Sequence, residues 1–229
     1  MIDKLYTKFS NRMDSLNKLI DIIPSGEFKK PNTILIAISD GGLLLAYEIA
    51  NRFNLSLDFL FTEEIFAPKN SECEVAIVSE SMDIAINENL VESFDISYDF
   101  IYGEAKRRYD ERILPNIYKY RKGEVISSLN KRNVIIIDDG IESGLTMNVA
   151  IKSCKKKFCS TIRIATPVIA ETTKNQLESL VDNIFCVYMP KHFVSTKYYY
   201  EDFAKIDSNL IVEMLNKSLK GSENGNKAR

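Results

Sequence analysis

The chain has no tryptophan and one histidine, His192, in 229 residues. Its four cysteines, Cys73, Cys154, Cys159 and Cys186, form no Cys-x-x-Cys pair and have no companion histidine spacing. That pattern speaks against a structural zinc site and a disulfide framework, and scattered thiols suit a reducing compartment. Charge of one sign is also lacking. The formal net charge is −2, so there is no global basic field for nucleic acid. No apolar run approaches the roughly 20 residues needed to span a membrane. Residues Met1 to Ile20 carry charges throughout, without the apolar core of a signal peptide. The expectation is a cytoplasmic protein with no membrane and no nucleic-acid partner.

What remains is an ordinary globular composition, 45% hydrophobic and 27% charged, long enough for a sizeable core. Leu5, Phe9, Met13, Leu16 and Ile20 recur at helical steps and predict an amphipathic helix. Apolar strands are predicted at 33–38, 57–61, 134–137, 162–166 and 184–188. Helices are predicted at 43–53, 146–157 and 171–180, between successive strands. This alternation predicts an α/β fold with a mostly parallel central sheet flanked by helices. Val75–Val78 and Asp83–Ile86 read as a short hairpin, with a short helix near 88–94. Residues 98–121 are helical in pattern, with Pro115 expected to kink or break them. A last helix is expected over 208–219. Residues 1–220 read as a single domain and 221–229 as a disordered polar tail.

The most informative stretch is Val134 to Thr146. Four β-branched apolar residues end in Asp138 and Asp139, followed by Gly140, Ile141, Glu142, Ser143, Gly144, Leu145 and Thr146. Acid therefore sits at the carboxyl end of a buried strand, where open α/β sheets bind ligands. Glycines, a hydroxyl and a helix start suit a phosphate. Carboxylates only accept hydrogen bonds, so they suit sugar hydroxyls or a metal. Phosphate beside a diol reads as a ribose 5-phosphate site. A second loop, Ser39-Asp40-Gly41-Gly42, follows the 33–38 strand, and four of the nine glycines fall in these two loops.

At these residues the chain resembles the type I phosphoribosyltransferases, with Ser143 where threonine is usual. Over roughly residues 30–215 it is most similar to a group of predicted bacterial phosphoribosyltransferases. Besides the two loops, Ala46-Tyr47-Glu48-Ile49-Ala50 and Tyr200-Glu201-Asp202-Phe203 carry that likeness. The resemblance implies a small hood subdomain and binding of 5-phosphoribosyl 1-pyrophosphate (PRPP), with Mg²⁺ bound with PRPP and no separate protein metal site. It implies transfer of the 5-phosphoribosyl group to a nucleobase with release of pyrophosphate. Residues 138–146 would bind PRPP, and Ser39, Asp40, Gly41 and Gly42 would form the pyrophosphate loop. Asp138, Asp139 and Glu142 are the candidate catalytic residues: the first two for the ribose and its oxocarbenium-like transition state, Glu142 as an acid or base toward the base. Phe193 and Val194 are the candidate base-binding residues, and with Glu142 they tilt the choice toward a purine.

Each candidate has a plainer reading. Glu142 is also an ordinary exposed loop acid, and Phe193 an ordinary core aromatic. The likeness also departs from pattern. The group usually carries Arg before Gly-Gly and Arg-Lys after the second strand; here stand Asp40, Glu63 and Glu64. Asp40 could cap the next helix. Lys106, Arg107, Arg108 and Arg112 could supply the lost cations or simply form a solvated helix face. Two further readings follow: a non-catalytic regulator that binds PRPP or a nucleotide, and a ribose-phosphate hydrolase or phosphorylase. The amphipathic and long helices offer surfaces for a homodimer.

Overall fold

A computed structural model describes residues 8–216. The expected tail at 221–229, residues 217–219 of the expected last helix and Leu5 of the expected first helix lie outside the described residues. The main sheet has five parallel strands: β1 (Thr33–Ala37), β2 (Ser56–Phe59), β6 (Asn133–Ile137), β7 (Thr161–Val168) and β8 (Asn183–Tyr188). Its spatial order is β2-β1-β6-β7-β8. Both faces of this sheet are covered, so its strands are apolar on both sides. Leu35, Ala37, Ile135 and Ile137 pack with α1 (Arg12–Ile22) and α3 (Asp40–Phe53). Ile34, Ile36, Val134 and Ile136 face the other way, toward α7 (Leu145–Lys156) and α8 (Glu171–Leu177).

The strand order fixes where a ligand can bind. The chain runs from β1 outward to β2 on one side and from β6 outward to β7 and β8 on the other. The β1/β6 junction is therefore a topological switch point, and its carboxyl end opens into a crevice. Ser39–Gly42 leave β1 there, and Asp138–Thr146 leave β6 there.

A small antiparallel sheet, β3 (Thr62–Ala67), β4 (Asn70–Ser79) and β5 (Ile84–Ile86), forms the hood. The 75–78/83–86 hairpin is present as the β4–β5 pair. Strand β3 is an addition to the sequence reading: only Ile65 and Ala67 of it are buried, too little apolar pattern to announce a strand. The hood also carries α4 (Glu88–Ser93), α5 (Tyr98–Arg108) and α6 (Leu114–Arg121), with a short α2 (Ser25–Phe28) lying elsewhere, before β1. It is tied to α7 by a buried hydroxyl relay. Ser153 Oγ donates to Asp83 Oδ2 (2.7 Å) and lies 3.1 Å from Ser79 Oγ.

Two local expectations need correction. Among the described residues the first helix begins at Arg12, capped by the Asn11 side chain, so Phe9 lies outside the helix expected through Leu5, Phe9, Met13, Leu16 and Ile20. Pro115 does not end the long helix. Residues 109–113 adopt a π-turn and Pro115 sits in the first turn of α6, where its missing N–H costs least. Gly103 in α5 is exposed, with open space where a Cβ would lie. Gly103→Ala is expected to raise stability by about 0.5–1 kcal/mol, read as a higher urea midpoint at unchanged slope.

Candidate functional site

The crevice is built from two loops that touch. Ser39 is the N-cap of α3, its Oγ accepting from Gly42 N–H at 2.9 Å. Its hydroxyl proton goes to Asp138 Oδ1 at 2.5 Å. Asp40 is thus the first helical residue and not the cap, a correction that follows from serine being the better-placed short side chain. Asp139 N–H also donates to Asp138 Oδ1 (2.9 Å). Asp138 is buried, and burial first, then the neighbouring Asp139 charge, push its carboxyl up to about 8. Burial beside a second carboxyl therefore disfavours the ionised form of Asp138.

Asp139 has its own frame. Arg12 Nε donates to Asp139 Oδ2 at 2.7 Å, and the Tyr200 hydroxyl donates to the Asp139 carbonyl at 2.6 Å. The Asp139 carboxylate lies against Gly41: a Cβ there would be 1.8 Å from Oδ2. The glycine is needed for this close approach between helix start and acid pair. Asp40 stands nearby with its pKa raised, by burial first and then by Asp139; Lys205 and Arg12 pull it the other way.

The 138–146 loop is hooked to the end of β7. Ile141 N–H donates to Val168 O (2.9 Å) and Ala170 N–H to Ile141 O (3.1 Å). Thr173 Oγ1 donates to the Glu142 carbonyl at 2.5 Å. Glu142 and Ser143 are left exposed between these anchors, and Gly144 turns the chain into α7 at φ +75°, a left-handed value that suits glycine. The first N–H groups of α7 have no intrahelical acceptor, and Leu145 N–H donates to Ser143 Oγ (3.3 Å).

A cleft of about 680 Å³ opens over this loop. Glu142, Ser143, Leu145 and Phe193 line it, with Asn87 and Asn89 from the hood and Thr173 and Gln176 from α8. The structure thus brings Phe193 to the same cleft as Glu142. Phe193 also packs on Tyr199, with ring centroids 5.0 Å apart. Val194 is exposed, and its N–H donates to the Tyr199 hydroxyl (3.2 Å). Glu74 of β4 lies within the field of Glu64 and Glu142; burial first, then those charges, raise it to about 7.

Lys106 and Arg107 of the basic cluster pair along their own helix, Lys106 with Asp110 and Arg107 with Glu104 and Glu111. Arg108 and Arg112 act on Glu63, whose pKa burial raises and these cations lower. Arg12, the cation that meets the acid pair, carries no local signal in the sequence: it sits 127 residues from Asp139, inside an unremarkable amphipathic pattern.

No helix among the described residues is long and apolar enough to cross a membrane. A model of the phosphoribosyl transferase domain matches residues 6–202. The chain is 20% identical over 185 residues to Rv0571c of Mycobacterium tuberculosis, which bears a provisional phosphoribosyl transferase name; the alignment covers 81% of this chain and 42% of that protein. The chain thus spans about two fifths of its curated relative. Its fold is shared with TT1426 of Thermus thermophilus, at TM-score 0.72 and 20% identity, over 92% of this chain and 99% of that one. The model match spans most of the chain, and the chain belongs to the phosphoribosyl transferase domain family.

Proposed function

We propose that the protein transfers a 5-phosphoribosyl group from PRPP to a nucleobase, releasing pyrophosphate. The observation that carries this reading is the acid pair held at the β1/β6 switch point, in the loop that runs through exposed Glu142 and Ser143 into the start of α7. In this reading the loop N–H groups and hydroxyls at 143–146 take the 5-phosphate, and Asp139 accepts from the ribose hydroxyls. Asp138, buried and held by the Ser39 hydroxyl and the Asp139 N–H, fixes the loop. Asp139 is then the carboxylate that favours the oxocarbenium-like transition state electrostatically. Ser39 to Gly42 lie on the pyrophosphate side.

Among the described residues no group of three or more His, Cys, Asp or Glu is arranged to hold a metal ion. The donor set nonetheless suits Mg²⁺ that arrives on PRPP, since Mg²⁺ commonly uses one or two carboxylates plus substrate phosphates. Asp139 is the residue placed to meet it. When bound, the ion neutralises charge on the departing pyrophosphate.

Phe193 and Glu142 line the cleft beside the loop and support a purine as acceptor. The aromatic ring offers a stacking face. Glu142, exposed and without a side-chain hydrogen bond among the described residues, would exchange a proton with the base.

The test is pyrophosphate release from PRPP with Mg²⁺ and a panel of bases. Turnover with a purine is expected. Asp139→Asn should lower kcat/KM by roughly 100-fold or more, the scale of losing one preorganised electrostatic group. Tight PRPP binding without turnover on any base would instead favour the non-catalytic regulator, a reading supported by the carboxylates at Asp40, Glu63 and Glu64. Nucleotide consumption without pyrophosphate would favour a hydrolase.

A further inference from the structure

Residues 9–12 and 199–205 lie side by side as a strap. Phe9 N–H donates to Tyr199 O (2.9 Å), Glu201 N–H to Phe9 O (2.8 Å) and Asp202 N–H to Ser10 O (3.0 Å). The strap reaches the acid pair twice, through the Tyr200 hydroxyl and through Arg12. Arg12 is itself held on three sides. Its Nε is on Asp139, its Nη1 donates to Ala204 O (2.7 Å), and its guanidinium lies 3.8 Å from the Phe203 ring centroid.

A guanidinium fixed this way differs from a surface cation. It is planar and always charged, and stacking plus two directed bonds leave it little freedom. Its side chain is 12% exposed, so its charge is screened less than that of a solvated lysine. A carboxylate offers about four acceptor positions, and Arg12 Nε uses one. Asp139 can therefore be clamped and still accept from a ligand hydroxyl. The need for positive charge is also visible: Asp40, Asp138 and Asp139 crowd the crevice, and among the described residues the cations acting on Asp40 are Lys205 and Arg12.

We infer that the strap is part of the ligand site: Arg12 is a positioning residue that holds Asp139 in its ligand-accepting orientation, and Arg12 with Lys205 supplies positive charge to the side where Asp40 stands. This rests on the ribose-phosphate reading above.

The experiment is calorimetric titration of the full chain with PRPP and Mg²⁺, comparing wild type with Arg12→Ala, Arg12→Lys, Lys205→Ala and Phe203→Leu. Arg12→Ala should weaken binding about 10- to 100-fold, the usual scale for losing a group that orients a ligand-binding residue. Arg12→Lys, which keeps the charge without the fork, should recover part of that loss, and a purely structural pair would show no such graded rescue. Lys205 is exposed, so Lys205→Ala should leave melting unchanged and weaken binding about three-fold, less so at high salt. If Arg12→Ala fails to fold, Phe203→Leu and Lys205→Ala decide. Wild type that binds while these variants bind equally well overturns the inference and leaves the ribose-phosphate reading standing. Wild type that binds neither PRPP nor a nucleoside 5′-monophosphate overturns that reading, and the inference with it.

Discussion

Gly41→Ala is expected to lower PRPP affinity by about 100-fold or more, equivalent to about 2.7 kcal/mol. The reason is spatial. A Cβ at position 41 would lie 1.8 Å from Asp139 Oδ2 and 2.1 Å from its Cγ. Asp139 cannot yield cheaply, because moving its carboxylate breaks the bond from Arg12. The overlap should also cost about 1–3 kcal/mol of stability, the usual range for overpacking. Gly42→Ala offers a contrast. Its Cβ would lie 2.5 Å from the Ile137 carbonyl oxygen and 3.0 Å from the Asp138 Cα, both backbone. There α3 itself must shift off β6, so a larger drop in melting temperature is expected than for Gly41→Ala. Titration with PRPP and Mg²⁺ alongside thermal melts separates the two. A Gly41→Ala protein that binds PRPP normally would show that Asp139 does not need its present place.

The largest effect on stability is expected at the hood. Glu80 and Arg121 form an ion pair with side chains 2% and 3% exposed. Glu80 also accepts from Phe61 N–H at 3.1 Å, while the Arg121 guanidinium lies 4.9 Å from the Phe61 ring. This ties β4, the turn before β3 and α6 into one unit. Arg121→Met removes the cation and leaves Glu80 as an uncompensated buried charge, at an expected cost of about 3–5 kcal/mol. The double variant Glu80→Gln/Arg121→Met should recover much of that loss, since it buries no charge. The pH dependence has a definite sign. Burial raises the Glu80 carboxyl and Arg121 opposes the rise, so removing Arg121 raises it further. A carboxyl with a folded pKa above its unfolded value binds more protons when folded. Stability then falls as pH rises from the unfolded value through the folded one. The gap between Arg121→Met and wild type should therefore widen from pH 5 to pH 8. A gap that stays constant would mean that Glu80 is not the group responsible.

How much of this was legible in the sequence follows from the range of each interaction. Strands β1, β6, β7 and β8 are apolar on both faces, so continuous runs such as Val134 to Ile137 announce them without any partner. Strand β3 holds Thr62, Glu63 and Glu64, whose pairing with β4 is invisible until the hood is assembled. Asp40 was the cap expected from the sequence; Ser39 takes that place, its hydroxyl accepting from Gly42 N–H while it reaches Asp138. The loop from Asp138 to Thr146 could be read from its residue types, since strand, acid pair, glycine and hydroxyl lie within one short stretch. Arg12 could not, because its role depends on a strap whose two halves are almost the whole described chain apart. The glycines show a further limit. Their concentration in two loops suggested phosphate approach, yet Gly41 is required first by the Asp139 carboxylate.

The central claim is that the crevice at the β1/β6 switch point takes a ribose 5-phosphate. A crystal structure of the full chain soaked with a purine nucleoside 5′-monophosphate tests it most directly. The account predicts the phosphate on the N–H groups at 143–146, the ribose hydroxyls on Asp139, and Arg12 still paired with that carboxylate. A nucleotide whose phosphate sits elsewhere, or a ribose that leaves Asp139 untouched, would contradict it.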